Sequence, residues 1–234
     1  MTNNVAAGAN WSALPTHIAW LDAERDRLLR FHERHGREAA VGFATLDANG
    51  APIVRAPREL YSTARLVHCF AIEHLLGRPG AADLARHGLD AITGPFRDPS
   101  YGGWYAAIGP DGSVADDTKS SYAHAFVILA GASATQAGLP GGRELLDEAL
   151  SVVTDRLWDE TESAVIEACL GDWTVAEPDY RGQNANMHLT EAYLAAYEAT
   201  GDQILQRRAE RIATKIIHQH ARAWDWRVPE HFNG

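Results

Sequence analysis

The feature that most constrains the fold of this chain is an internal repeat of about 62 residues. Three glycines at the ends of helical patterns lie 61 and 63 residues apart: Gly77, Gly138 and Gly201. Glycine just past a helix accepts the left-handed backbone conformation, and a nearby proline cannot continue the helix. The dipeptides Asn49-Gly50 and Asp111-Gly112 recur 62 residues apart. They predict type I′ hairpin turns, in which both central residues have positive φ.

Between these markers, helices with one apolar face alternate with helices that are apolar almost all round. The amphipathic segments are 12–35, 80–92, 142–158 and 202–221, and the apolar segments are 62–76, 118–137 and 184–200. A helix that is apolar on every side has to be buried on every side. We therefore predict an all-α fold, an (α/α) toroid with apolar helices inside, amphipathic helices outside and short β-hairpins in the loops. A superhelical array of helix pairs is the alternative, but its repeats usually run about 30 to 50 residues and lack hairpins.

Composition and charge limit the classes of partner. The chain is 46% hydrophobic and 22% charged, which is typical of a globular protein, and a single domain over 1–234 is predicted. Its net charge of −10 disfavours nucleic acid and anionic membrane, because both require clustered Lys and Arg. The first residues lack the features of a signal peptide and no segment could span a bilayer, which predicts a cytoplasmic protein. The sequence leaves the oligomeric state, including a homo-oligomer, open.

Polar side chains interrupt the apolar helices near their starts, where burial makes them costly. Three stripes have the spacing i, i+4, i+7 or close to it: Tyr61, Arg65 and His68, then Lys119, Tyr122 and Phe126, then Asn184, His188 and Glu191. Successive inner helices of a ring run in the same direction, so these stripes are predicted to converge on one polar mouth. The hairpin loops are expected to bring Trp104, Tyr105 and Trp173 to the same mouth.

Several of these residues also have a structural interpretation. A carboxylate could hold Arg65, and Lys119 and Glu191 could pair with neighbours. His68 and His124 are as well explained as satisfied core histidines.

The residue types at the mouth favour a sugar ligand. Asn184 lies one helical turn before His188 and adds a second sugar-type hydrogen-bonding group to the same face. A histidine with a pKa near about 6.5 suits proton abstraction beside a carbonyl. The chain has no Gly-rich phosphate loop, no nucleophile elbow and no specific metal-ligand spacing, so neither cofactor nor metal is predicted.

Four stretches together resemble the N-acylglucosamine 2-epimerase superfamily, and most closely its bacterial mannose isomerase and sulfoquinovose isomerase branch. They are RELYSTARLVH (58–68), KSSYAHAF (119–126), YRGQNANMHLTE (180–191) and RVPEHF (227–232). The resemblance implies an (α/α)6 barrel and a cofactor-free interconversion of aldose and ketose, or epimerisation at C2, through a cis-enediol. It implies that Arg65, Tyr61, Tyr122 and Asn184 contact the monosaccharide, and that His188 contacts it and assists proton movement.

The same resemblance leads us to expect that this chain is the N-terminal part of the barrel and inactive alone. The two principal acid/base histidines of the family come from later inner helices, and the repeat length places the next polar stripe beyond Gly234. The leading prediction is an aldose–ketose isomerase acting on a free monosaccharide such as mannose. The alternatives are a 2-epimerase of the same superfamily and a non-catalytic sugar-binding ring. A glycoside hydrolase is less favoured, because it requires two inward carboxylates and only Glu191 is a candidate.

Overall fold

A computed structural model describes residues 11–35 and 41–233 of the chain, and its main elements are helices. The helices are α1 (Pro15–His35), α2 (Leu60–Leu75), α3 (Ala81–Thr93), α4 (Ser121–Gln136), α5 (Gly142–Val152), α6 (Gln183–Thr200) and α7 (Gln203–Ala213). Short π-helical segments continue α5 over Val153–Leu157 and α7 over Thr214–Ala221. Each segment predicted from hydrophobic periodicity is helical, with ends within a few residues of the predicted ones. None of the helices in the described ranges is long and apolar enough to cross a membrane.

These helices form the predicted two layers. The inner helices α2, α4 and α6 lie side by side with α4 in the middle, and α3, α5 and α7 each pack on the inner helix that precedes them. Burial is greatest for the middle helix: thirteen of the sixteen residues of α4 are buried, whereas α7 buries only Leu205, Ala209 and Ile212. The other inner helices, α2 and α6, bury seven of sixteen and six of eighteen residues, so the expectation of burial on every side holds for α4 and not for them. The all-α fold with apolar helices inside and amphipathic helices outside is therefore confirmed.

The first helix, α1, flanks the end of α2. Its Leu29 is buried, and its carboxylates Asp26 and Glu33 accept hydrogen bonds from the Arg78 guanidinium at 2.7 and 2.6 Å. Arg78 lies just beyond α2, so this ion-pair network ties α1 to that end of the inner layer. Together these charged groups raise the pKa of Arg78.

Close approach between the layers depends on small residues. A Cβ atom at Gly131 on α4 would lie 2.8 Å from the backbone nitrogen of Leu146 on α5. The two helices therefore pack with their backbones almost in contact at this point. Leu146 itself is fully buried, which contributes about 1.5–3 kcal/mol in removing its side chain from water.

The predicted turn glycines adopt positive φ, but the predicted turn type is wrong. Gly50 and Gly112 have φ of 85° and 82°, while neither Asn49 nor Asp111 is in the positive region. In the second turn, the amide of Gly112 donates to the carbonyl of Gly109 at 3.0 Å. The loop is thus longer than the two-residue type I′ turn, and only its last residue needs the left-handed conformation that glycine tolerates.

Short antiparallel strands fill the loops, as predicted. They are β1 (Arg58–Glu59), β2 (Ala107–Ile108), β3 (Val114–Asp116), β4 (Lys119–Ser120), β5 (Trp158–Asp159), β6 (Ala164–Val165), β7 (Ala168–Cys169), β8 (Tyr180–Gly182) and β9 (His231–Asn233). The sheets are β1-β2-β3, β4-β7, β5-β6 and β8-β9. Strands β1, β4 and β8 lead directly into α2, α4 and α6. The sheets therefore fix where each inner helix begins, which is where the predicted site residues lie.

Candidate active site

Side chains from all three inner helices meet around two aromatic rings of α4. The ring centroid of Tyr122 lies 5.4 Å from that of Tyr61 and 5.3 Å from the imidazole of His188, both in edge-to-face geometry. One turn further along α4, the Phe126 ring lies 4.7 Å from the same imidazole. The Arg65 guanidinium lies 4.7 Å from the centroid of the Phe126 ring. Four of the five predicted site residues thus belong to one cluster, which we call the inner-helix cluster: Tyr61, Arg65, Tyr122, Phe126 and His188.

The fifth predicted residue, Asn184, is exposed on α6 one helical turn before His188. Residues four apart share a helix face, so its amide lies on the same side of α6 as the His188 imidazole. Arg65 is exposed as well. The interpretation of Arg65 as a buried group held by a carboxylate is therefore wrong, and its guanidinium is accessible to a ligand.

Two polar side chains adjoin the inner-helix cluster on the side away from the helix starts. Glu191 accepts a hydrogen bond from Nδ1 of His188 at 3.0 Å. Nδ1 of His68 on α2 contacts the hydroxyl of Ser133 on α4 at 2.7 Å. Burial lowers the pKa of His68, and the nearby carboxylate of Glu191 acts in the opposite direction.

Lys119 departs from its predicted place beside Tyr122. It lies in β4, before α4 begins, and its side chain is fully buried. Its ammonium donates to Oδ2 of Asp98 at 2.7 Å and lies 4.7 Å from the centre of the Tyr105 ring. Burial lowers the pKa of Lys119, although Asp98 opposes that effect. Lys119 is therefore part of the packing between the hairpins, and the interpretation of Lys119 as pairing with a neighbour is confirmed.

His124 is a core histidine. It is fully buried between the rings of Trp104 and Trp173, at centroid distances of 5.6 and 5.7 Å. Its Nδ1 lies 2.8 Å from the carbonyl of Ser120, and its Nε2 accepts from the amide of Trp104. Burial lowers the pKa of His124 to about 4. Trp104 is fully buried too and donates its indole N–H to the carbonyl of Ile92, so its predicted place at an open mouth is wrong.

A carboxylate that the sequence analysis missed lies at the start of α6. Oε2 of Glu167 accepts the amide N–H of Gly182 at 3.1 Å, and the backbone carbonyl of Glu167 accepts the amide of Ser121 at the start of α4. A Cβ atom at position 182 would meet the Glu167 carboxylate, so a larger residue there would displace this flexible side chain. Burial raises the pKa of Glu167. No periodicity in the sequence marks this residue, because it lies in a loop between strands.

Comparison with known proteins relates this geometry to sugar-converting enzymes. The profile of the N-acylglucosamine 2-epimerase (GlcNAc 2-epimerase) family matches residues 42–234. A D-mannose isomerase of Thermobifida fusca is 49% identical over 227 residues, which are 95% of this chain and 54% of that protein. A D-mannose isomerase of Pseudomonas cannabina pv. alisalensis is 43% identical over 232 residues, 99% of this chain and 55% of that protein. The chain thus spans about half the length of the curated relatives it matches.

Solved structures show the same fold. A crystal structure of D-mannose isomerase superposes with a TM-score of 0.85 at 27% identity, covering 92% of this chain and 55% of that one. Cellobiose 2-epimerase from Spirochaeta thermophila DSM 6192 superposes with a TM-score of 0.77 at 21% identity, covering 88% of this chain and 56% of that one. Both proteins are (α/α)6 barrels. The helical layers of this chain therefore have the architecture of part of such a barrel.

Proposed function

The chain belongs to the N-acylglucosamine 2-epimerase family, and from this premise we propose that its inner-helix cluster binds a free monosaccharide for aldose–ketose isomerisation of the mannose-to-fructose type. The observation that carries the proposal is the convergence of Arg65, Tyr122 and His188 on the Phe126 ring. Isomerisation is preferred to C2 epimerisation because the relatives at 49% and 43% identity are D-mannose isomerases. The cytoplasmic location stays a prediction.

Each residue type in the cluster suits one part of a sugar. The guanidinium of Arg65 and the amide of Asn184 offer several N–H donors, and the Asn184 carbonyl adds an acceptor, which together match a row of hydroxyl groups. The rings of Tyr61 and Tyr122 present flat apolar surface with a polar hydroxyl at the tip. These side chains would hold the open-chain monosaccharide in a fixed position relative to the His188 imidazole.

The proposed reaction moves protons and needs no oxidant. A base removes the proton from C2 of the open-chain aldose. The electron pair of the broken C2–H bond forms the C1–C2 double bond of a cis-enediol, while O1 gains a proton. Return of a proton to C1 and loss of the proton on O2 then give the ketose, so the atoms balance without a cofactor or metal. His188 would assist these transfers, which typically contribute about 10²- to 10⁴-fold to the rate. The positive charge of Arg65 would stabilise negative charge that develops on a sugar oxygen.

Sugar binding tests the proposal directly. Titrating the purified protein with mannose should give saturable binding that weakens by about 10- to 100-fold in Arg65→Ala, since a hydrogen bond to a charged group contributes about 1.5–3 kcal/mol. Arg143→Ala is the matched control, because Arg143 is an exposed arginine on α5 that pairs with Asp147. Equal mannose affinity in the two variants would contradict the proposal.

Product analysis tests the chemistry. In a protein that supplies the rest of the barrel, mannose should yield fructose at a rate that a chelator leaves unchanged and that His188→Ala lowers by about 10²-fold or more. Residues 1–234 alone are expected to give no measurable fructose. Accumulation of the C2 epimer glucose instead of fructose would identify a 2-epimerase. Mannose binding without any product in that complete barrel would favour the non-catalytic sugar-binding alternative.

A further inference from the structure

The carboxylate of Glu191 lies beside the proposed proton-transfer residue, where it has no part in the sugar contacts described above. We propose that Glu191 is a positioning residue that holds the His188 proton on Nδ1 and so leaves Nε2 as the basic nitrogen of the site. The inference rests on the proposed function for its catalytic consequence, but the tautomer itself can be measured without substrate.

The hydrogen-bond geometry defines which nitrogen carries the proton. Oε2 of Glu191 lies 3.0 Å from Nδ1 of His188, and an ionised carboxylate can only accept hydrogen bonds. In a neutral imidazole, the hydrogen bond made by one nitrogen sets the state of the other. Nδ1 therefore donates to Glu191, and Nε2 on the other side of the ring keeps a free electron pair.

Aromatic packing restricts the orientation of the His188 imidazole. The Tyr122 ring meets the imidazole at an interplanar angle of 81° and the Phe126 ring at 47°, and both come from α4. The His188 side chain is only 16% exposed, whereas the Glu191 side chain is 51% exposed. The ring is thus confined by aromatic neighbours, and Glu191 is the hydrogen-bonding group at its Nδ1 edge.

Among the charged and titratable groups described around the His188 imidazole, Glu191 is the group hydrogen-bonded to Nδ1. Arg65 of α2 lies over the Phe126 ring, Tyr122 of α4 contacts the imidazole, and Glu191 comes from α6 itself. The Glu191 carboxylate also acts on His68, whose pKa it raises against the lowering effect of burial. The Nδ1 atom of His68 is engaged by Ser133, however, so the hydrogen bond of Glu191 goes to His188.

A plain surface ion pair is the alternative. Such pairs three or four residues apart on a helix contribute little to stability and have no consequence for the chemistry of either partner. The two interpretations differ in what happens to the imidazole when the carboxylate is removed, because only a positioning residue determines the tautomer.

Nitrogen NMR of ¹⁵N-histidine-labelled protein distinguishes the positioning role from a plain ion pair. The His188 signals are assigned by their loss in His188→Ala. At about pH 8, where an ordinary histidine is neutral, wild-type His188 should show a protonated Nδ1 and an unprotonated Nε2. Glu191→Ala should move the His188 population towards the Nε2-protonated form. Glu198→Ala, two turns along the same helix and also exposed, is the matched control and should leave both shifts unchanged.

Glu191→Leu provides a second variant if Glu191→Ala unfolds: it keeps a longer side chain but has no acceptor for the Nδ1 proton, so it should shift the tautomer in the same direction. Unchanged His188 nitrogen shifts in both Glu191 variants would overturn the inference. In turnover assays of a protein that supplies the rest of the barrel, kcat should fall about 10-fold in Glu191→Ala with KM within twofold, because part of the general-base contribution is lost while sugar contacts remain. A shifted tautomer in a complete barrel that converts no mannose would refute the proposed function but not the positioning role.

Discussion

Acid should weaken this fold in part through a buried histidine, His124, and its contribution can be isolated with a single substitution. Nδ1 of His124 faces the Ser120 carbonyl, and Nε2 faces the Trp104 amide. A carbonyl only accepts and an amide only donates, so the neutral imidazole satisfies both contacts. Adding a second proton would place N–H against N–H inside a fully buried site. The folded protein therefore resists protonation of this ring.

The size of the effect follows from the difference in pKa between the folded and unfolded states. Burial lowers the pKa of His124 to about 4, from 6.5 for an ordinary histidine. As pH falls below 6.5, the unfolded chain binds a proton that the folded chain does not, so stability is lost between pH 6.5 and about 4. At about 1.36 kcal/mol per pH unit, the loss attributable to His124 is about 3 kcal/mol.

Urea unfolding at a series of pH values measures this contribution. His124→Asn keeps an amide donor for the Ser120 carbonyl but does not titrate, so its free energy of unfolding should depend less steeply on pH over that interval. Three other histidines have a pKa lowered chiefly by burial and contribute equally in both proteins: His32, His68 and His220. The difference between the two slopes therefore belongs to His124. Equal slopes in wild type and His124→Asn would refute the reasoning, whatever the loss in absolute stability.

Two substitutions and one labelling experiment test the packing. Lys119→Met leaves the buried carboxylate of Asp98 without its cation and should lower the free energy of unfolding by about 3–5 kcal/mol; a loss below about 1 kcal/mol would contradict the buried pair. Gly131→Ala should cost about 1–3 kcal/mol, because its Cβ would meet the backbone of α5; an unchanged urea midpoint would show that the layers can separate freely. A thiol reagent should label the exposed Cys69 in the native protein and the buried Cys169 only on unfolding, as mass spectrometry of quenched samples would show.

The sequence by itself determined the helices and the layer to which each belongs. Hydrophobic periodicity is a property of neighbouring residues, so the contrast between 118–137 and 202–221 was enough to place one helix inside and one outside. The glycines Gly77, Gly138 and Gly201 marked helix ends because positive φ is a local requirement, and each adopts it. The spacing of the polar stripes also predicted that Arg65 and His188 lie at the same end of the inner layer.

Only the tertiary structure decided which polar residues face a ligand and which are internal. Lys119 and Asp98 are 21 residues apart, and nothing near either residue in the sequence identifies the other as its partner. His124 shares its helix start with Tyr122, yet it is enclosed by tryptophans from two separate loops. Burial and hydrogen-bond partners depend on how loops fold over the helix starts. A polar residue that is costly to bury can therefore be recognised in the sequence, but the group that compensates it is set by the path of the whole chain.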